Sequence, residues 1–559
     1  MDLIDKTSFL TGNNALLTIG TFLPLVGVLL MMFVPKGQEL LHKQIALITA
    51  VATLAVGVFT LTKFNYGQSG KLQFVADTSW IKVIHSNYTI GLDGLSLPLY
   101  ILSMIVTVLV MVYSWDHIPN PGNPKAFLIL MLVLQTGMAG TFIAQDLILF
   151  FVFFELVLLP MYFMIGVWGG EQRQYASLKF FLYTMFGSAL MLVAFLALYF
   201  QVSGKTPAGE ASFSIPYLAE HGGLLGKSVQ VWIFAGMFIG FAVKVPMFPF
   251  HTWLPDAHTQ APTQGSVILA AILLKLGTYG FVRIAIPILP KAAVAWAPYI
   301  GGLAVIGVIY GALGCLAQTD MKRLIAFSSV AHMGFVMLGI STLTPLGVNA
   351  AVFGMVAHGL ITGMLFFVAG SVKERFHTLE IKRLGGMLIQ MPKMGWILGF
   401  CAMASLGLPG LAGFWGEFPA IISAYSPFGG NAELAGLNHN VFRVFMVIAA
   451  VGTVLAAGYL LWLFQRVAFG EPKEEFAGNG HDVHGHDAHG HDAHGHGAVH
   501  AVGADVNEHH SDIHDVTFFE WVAWVPFLIA IVVFGVYPQL MFKVIDPAVQ
   551  VTLKAFGQG

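Results

Sequence analysis

Six ionisable residues stand inside runs that are otherwise apolar. Glu155 lies in LILFFVFFELVLLPMYF, Lys275 in SVILAAILLKLGTYGFV, and Lys244 in IFAGMFIGFAVKVPMFPFHTWLPDAH. Glu417 closes ASLGLPGLAGFWGEF, while His332 and His358 sit in SSVAHMGFV and GMVAHGLIT. At the centre of a membrane-spanning helix each charge costs about 2.5 to 3.5 kcal/mol on insertion scales, so such residues ordinarily mark function. A buried ion pair or a capped histidine that only fixes helix packing explains one such residue well. It does not explain two carboxylates, two lysines and two imidazoles together, which read as a conduit for charge.

Composition dictates what must hold them. Of 559 residues, 57% are hydrophobic and 10% charged, against about 25% charged in ordinary globular chains. Mean hydropathy is +0.76, spread over most of the length, which excludes a soluble enzyme and leaves no room for a large water-soluble domain. With 27 basic and 29 acidic residues the net charge is -2, so no basic field invites nucleic acid. The two cysteines, Cys315 and Cys401, fall in apolar runs. They cannot make a four-thiolate iron–sulfur site, and neither a haem-attachment motif nor a phosphate loop occurs. Redox or nucleotide chemistry would have to come from other chains. The first apolar run, Ala15 to Val34, is span-length without a basic leader and reads as a helix rather than a cleaved signal.

Apolar stretches predict an all-α polytopic membrane protein with about fourteen spans. They begin near Ala15, Gln44, Leu95, Lys125, Asp146, Leu178, Gln230, Gly265, Val294, Met321, Leu346, Gly395, Val441 and Phe518. Polar loops are expected from Phe64 to Asp93 and from Gln201 to Ser228. The chain divides into three N-terminal helices (1–124), a first five-helix unit (125–290), a second (291–470), a histidine-rich loop (471–516) and a last helix (517–559). Loops after odd-numbered helices hold 14 lysines and arginines against 11 in the opposite set, with dense clusters at DMKR and KERFHTLEIKR. That modest bias, with the clusters, favours the odd loops and the histidine-rich loop as cytoplasmic and both termini as outside.

Two helices should be broken. Pro246 and Pro249 remove backbone donors just after Lys244, and Gly407, Pro409, Gly410 and Gly413 do the same ahead of Glu417. Paired interruptions in two halves are a trace of transporters built from inverted repeats. The spacing agrees: Glu155 to Lys244 is 89 residues and His332 to Glu417 is 85. Burial disfavours charge and an opposite charge nearby restores it, so changing the Glu155 to Lys244 separation works as a switch. At an effective dielectric of about 20, unit charges 4 Å apart interact by about 4 kcal/mol. Ser328, Ser329, Thr362 and Tyr279 are candidate holders of relay water, with helix-to-helix hydrogen bonding the simpler reading of each. Asp146 reads better as a helix cap than as a channel mouth.

The blocks FFELVLLPMYFMIGVWGG, FAVKVPMFPFHTWLPDAHTQAPT, LLKLGTYG, TDMKRLIAFSSVAHMGF and GLPGLAGFWGEF resemble the antiporter-like membrane subunits of respiratory complex I, the proton-pumping NADH:quinone oxidoreductase. The resemblance covers nearly the whole chain apart from the histidine tract. A glutamate on the twelfth helix, Glu417 here, is the mark of the subunit M type, where paralogues and most Mrp antiporter subunits carry lysine. The resemblance implies a proton half-channel around Lys244 with Glu155 as its ionic partner. Lys275 would connect onward, followed by His332 and His358 along a hydrated axis, with Glu417 near the exit. It implies partners among the other membrane-arm subunits, the antiporter-like paralogues above all, together with lipid, water and protons. FMN, iron–sulfur clusters and quinone would belong to other subunits.

Eleven of the 21 histidines fall between His481 and His514 and depart from that family pattern. His481, His484, His486, His489 and His491 are weak candidates for zinc, copper or nickel. No fixed tetrahedral set is evident, and a plain linker is the default. Three readings of the whole chain follow: a proton-translocating subunit driven by quinone chemistry elsewhere, an Mrp-type sodium/proton antiporter subunit, and a structural scaffold with a fossil channel. Glu417 favours the first over the second, and the full set of titratable groups disfavours the third.

Overall fold

A computed structural model describes residues 14–206, 212–430, 439–476 and 513–557. The five candidate metal-binding histidines from His481 to His491 lie outside them. Among the described residues, twelve helices are long and apolar enough to cross a membrane. They are α1 (Ala15–Phe33), α2 (Glu39–Lys63), α4 (Pro124–Ile143), α5 (Leu147–Trp168), α6 (Arg173–Ser203), α7 (Lys227–Lys244), α9 (Thr263–Ile288), α10 (Pro290–Leu316), α11 (Met321–Ser341), α12 (Pro345–Phe376), α15 (His439–Ala468) and α16 (Phe518–Val536). The helix expected near Leu95 is α3 (Leu97–Tyr113), apolar but only 17 residues long. The one expected near Gly395 comes as two pieces, α13 (Pro392–Ser405) and α14 (Ala412–Ser423).

Burial sorts the helices into centre and rim. The most apolar windows of α9, α11 and α12 are 94%, 94% and 100% buried, whereas those of α1 and α15 are 33% and 28% buried. Lys275, His332 and His358 therefore ride on the three innermost helices. Small residues let these backbones close up. A Cβ on Gly277 of α9 would lie 2.7 Å from the Phe241 carbonyl of α7, and Gly416 of α14 faces Gly354 of α12 in the same way.

Both expected breaks are present. α7 stops at Lys244, and the chain resumes as α8 (Trp253–Gln260), with the Trp253 indole donating to the Val243 carbonyl at 2.9 Å. Between α13 and α14 the chain turns through Gly407 and Gly410, at φ +80° and +94°. In α9, π-helical turns at Leu269–Leu273 and Phe281–Ala285 flank Lys275. Such wide turns inside an α-helix recur at functional sites.

Three expectations change. The loop from Phe64 to Asp93 is no plain polar loop: it carries an antiparallel hairpin, β1 (Gln73–Ile81) and β2 (Ser86–Leu92), an exception to the all-α forecast. Asp77 ties its strands by accepting from Asn87 and Thr89. The C-terminal segment holds a second helix, α17 (Gln539–Leu553), whose buried Met541, Ile545, Ala548, Val549 and Thr552 form a helical stripe. Lys322 and Arg375, counted as loop cations, are buried. The Lys322 ammonium donates to the Ala261 carbonyl at 2.5 Å, and Arg375 holds Glu520 of α16 through two bonds of 2.9 and 2.8 Å. Asp146 caps α5, accepting from the amides of Ile148 and Leu149 and from Ser86 and Asn87 of the hairpin, as its better reading required.

Candidate functional site

The six singled-out residues form two groups. The first straddles α5 and α7. Glu155 sits where α5 bends at Val157, and Pro160 leaves the Leu156 carbonyl without its helical donor. Lys244 is the last residue of α7 before the break and is 2% exposed, its ammonium 4.8 Å from the centre of the Phe154 ring. The two charges feel one another electrostatically, yet among the described residues neither the Lys244 ammonium nor the Glu155 Oε1 has a hydrogen-bond partner. The pair is thus buried but not closed, and bringing the two together would strengthen its interaction.

The second group is two hydrogen-bonded pairs whose imidazoles face one another. Lys275 donates to the Ala270 carbonyl and, at 2.6 Å, to Nδ1 of His358. The His358 and His332 rings stand 6.0 Å apart, centre to centre. His332 Nδ1 donates to Glu417 Oε1 at 2.6 Å. Its Nε2 bonds the hydroxyls of Ser405 at 3.1 Å and Tyr459 at 3.2 Å. Both ring nitrogens of His332 are thus engaged, Nδ1 by a carboxylate oxygen and Nε2 by two hydroxyls, each of which can donate or accept. Among the described residues His358 Nε2 and Glu417 Oε2 are buried without partners, and both residues line one cavity of about 20 Å³ with His332, Thr362 and Ser405. A space of that size and polarity accommodates about one water. Gly407 packs against Glu417: a Cβ there would sit 3.2 Å from Glu417 Oε2, on a backbone that only glycine adopts without strain.

The groups meet through their backbones. Lys244 precedes Val245, whose amide would lie 3.0 Å from a Cβ on Gly277, two residues beyond Lys275. The order along the chain corrects the expected one, because His358 follows Lys275 and His332 follows His358. Of the four polar companions, Thr362 lines the cavity with its hydroxyl unpartnered. Ser328 and Ser329 donate to the Ile325 carbonyl of their own helix. Tyr279 donates to the Phe142 carbonyl and accepts from Arg283, which pairs with Asp93 at 2.5 Å.

Three further residues belong to the site. Ser405 and Tyr459 hold the far nitrogen of His332. On α8, His258 lies fully buried, stacked on Phe366 at 4.3 Å with both ring nitrogens unpartnered, and within the electrostatic reach of Lys275 and Lys322. Beyond it, at the half-exposed edge, Asp256 pairs with Lys179 at 2.6 Å and Arg323 at 3.5 Å. His258 stands within KVPMFPFHTWLPDAH, but its neighbours there are polar, so contrast with an apolar run gave no signal. Tyr459 and Ser405 are too common a type in such helices to stand out. The described residues of the site offer no metal-ligating cluster.

Residues 144–457 match the family model described as NADH:quinone oxidoreductase/Mrp antiporter, TM, and residues 18–141 the one described as NADH-ubiquinone oxidoreductase chain 4, amino terminus. The chain is 38% identical over 545 residues to NADH-quinone oxidoreductase subunit M of Rhodobacter capsulatus, covering 96% of this chain and 95% of that one. It is 35% identical to the subunit M of Rickettsia bellii, over 97% and 99%. Among solved structures, a chain of respiratory complex I from Thermus thermophilus with bound NADH superposes with a TM-score of 0.79 at 26% identity, covering 97% of this chain and 100% of that chain. A chain of the Mrp complex from a Dietzia species does so at 0.76 and 18% identity, covering 98% and 99%, a likeness of fold alone.

Proposed function

The chain belongs to the NADH:quinone oxidoreductase/Mrp antiporter family and, within it, to the subunit M kind, and from that premise we propose that it carries protons along the Glu155, Lys244, Lys275, His358, His332 and Glu417 route. It is a multi-pass membrane-arm subunit of a proton-translocating NADH:quinone oxidoreductase. The observation that carries the reading is the alignment of two bonded pairs, Lys275 with His358 and His332 with Glu417, each at 2.6 Å, whose rings stand 6.0 Å apart on a cavity sized for one water. Neutral imidazole both gives and accepts a proton, so each step is a hop between adjacent atoms or through that water. His258 offers an intake from the edge where Asp256, Lys179 and Arg323 meet.

In this reading 125–290 and 291–470 are the two half-channels, related as inverted repeats with the breaks at Lys244 and Ser405 in corresponding places. The basic loops face the cytoplasm of a bacterial inner membrane, and the hairpin and α17 face outward. Neighbouring membrane-arm subunits cover its flanks, and the energy arrives from quinone reduction in chains that hold the FMN, iron–sulfur clusters and quinone.

Glu417→Gln in the purified oxidoreductase, reconstituted in liposomes, tests it. Glutamine keeps an acceptor for His332 and removes only the titrating proton. The protons moved per NADH should fall, with the same loss in sodium-free and sodium-containing buffer. A wild-type ratio would remove Glu417 from the route, and a loss confined to sodium buffer would point to Mrp-type exchange. Deleting residues 481–500, which hold eight histidines, should leave NADH:quinone turnover nearly unchanged, since no site residue lies there; a large loss would overturn the linker reading.

A further inference from the structure

Helices α13 and α16 leave a groove of about 640 Å³ between them, lined by Lys393, Trp396, Phe400, Trp521, Ile529 and Val533 among others. Every named wall is apolar or aromatic except Lys393 at one end, and Trp396 and Ile529 are 65% and 57% exposed. From Trp521 to Val533 the wall rises about 18 Å at 1.5 Å per residue. One leaflet of a hydrocarbon core about 30 Å thick measures about 15 Å. The groove thus runs the depth of one leaflet, with a cation and two indoles at the level where headgroups begin. At its deep end, the Gly535 carbonyl accepts from Trp415 beside the broken segment.

Size and charge select the occupant. Over that length the groove has room for a hydrocarbon chain. Lys393 is the one charged residue of its lining and stands at the headgroup end, which makes a lipid with an anionic headgroup the occupant that complements it. Asp515, the carboxylate beside Lys393, is already engaged by the amides of Lys393, Met394 and Val516. Among the described residues the Lys393 ammonium has no hydrogen-bond or ion-pair partner. We infer that this groove binds an anionic phospholipid, its acyl chain between α13 and α16 and its phosphate on Lys393, with Trp396 and Trp521 flanking the glycerol level.

The test uses the whole purified oxidoreductase in nanodiscs, with photoactivatable phosphatidylglycerol or phosphatidylcholine carrying a diazirine on the acyl chain. Phosphatidylglycerol should label peptides spanning 396–400 and 521–533. Lys393→Gln should weaken that labelling about fivefold, the equilibrium counterpart of the ~1 kcal/mol that one lysine contributes near anionic headgroups, and leave phosphatidylcholine labelling unchanged. Ile529→Trp, which fills the groove, should abolish labelling by both lipids while NADH:quinone turnover persists. The inference is overturned if phosphatidylglycerol leaves these peptides unlabelled, if neither variant changes the labelling, or if Lys393→Gln weakens both lipids alike.

Discussion

Lys244→Ala should lower proton translocation by the reconstituted oxidoreductase about tenfold or more, a barrier increase of at least ~1.4 kcal/mol, with the complex still assembled. Among the described residues the ammonium has no hydrogen bond to lose; it lies over the Phe154 ring. What disappears is the partner that Glu155 senses across the break. At an effective dielectric of about 20, a unit pair at 4 Å is worth about 4 kcal/mol and loses half of that when the separation doubles, which is the range a moving helix end can command. Lys244→Arg separates this role from a structural one. Arginine keeps the charge and does not deprotonate in proteins, so it should pump as poorly as alanine. Full pumping by the arginine variant, measured as protons per NADH, would show that only the charge matters and that Lys244 passes no proton. Glu155→Ala should match Lys244→Ala.

His332→Phe should be as severe. The ring volume is nearly kept, but Glu417 loses its 2.6 Å donor and the hydroxyls of Ser405 and Tyr459 lose their partner. The route is cut between His358 and Glu417, and pumping should again drop about tenfold or more. Because His332 and Glu417 act in one series, adding Glu417→Gln to His332→Phe should cost almost nothing further, whereas independent sites would add their losses. Proton translocation by the double variant at the product of the two single losses would place the residues on separate routes.

Much of this was legible in the amino-acid order because a bilayer leaves few choices. An apolar run in lipid must pair its own backbone and become a helix, so the helix starts follow from hydropathy, and a charge within such a run announces itself. Proline and glycine placed the breaks at Lys244 and ahead of Glu417 by the same covalent logic. The hairpin between Phe64 and Asp93 was hidden by its polar, turn-rich composition, and α17 by an apolar stripe too narrow to raise the average hydropathy of its stretch.

Pairing was decided only by the fold. Lys275 meets His358 across 83 residues and His332 meets Glu417 across 85, and no local rule ranks those partners above others on the same helices. Packing of α9, α11 and α12 at the centre set which imidazole came first, buried Lys322 and Arg375 where a charge count had left them in water, and brought His258, Ser405 and Tyr459 into the site. The sequence by itself determined which residues would sit in the membrane and be costly there, since that follows from transfer free energy residue by residue. Which of them touch is a property of three-dimensional packing, because contact depends on the rotation and register of whole helices.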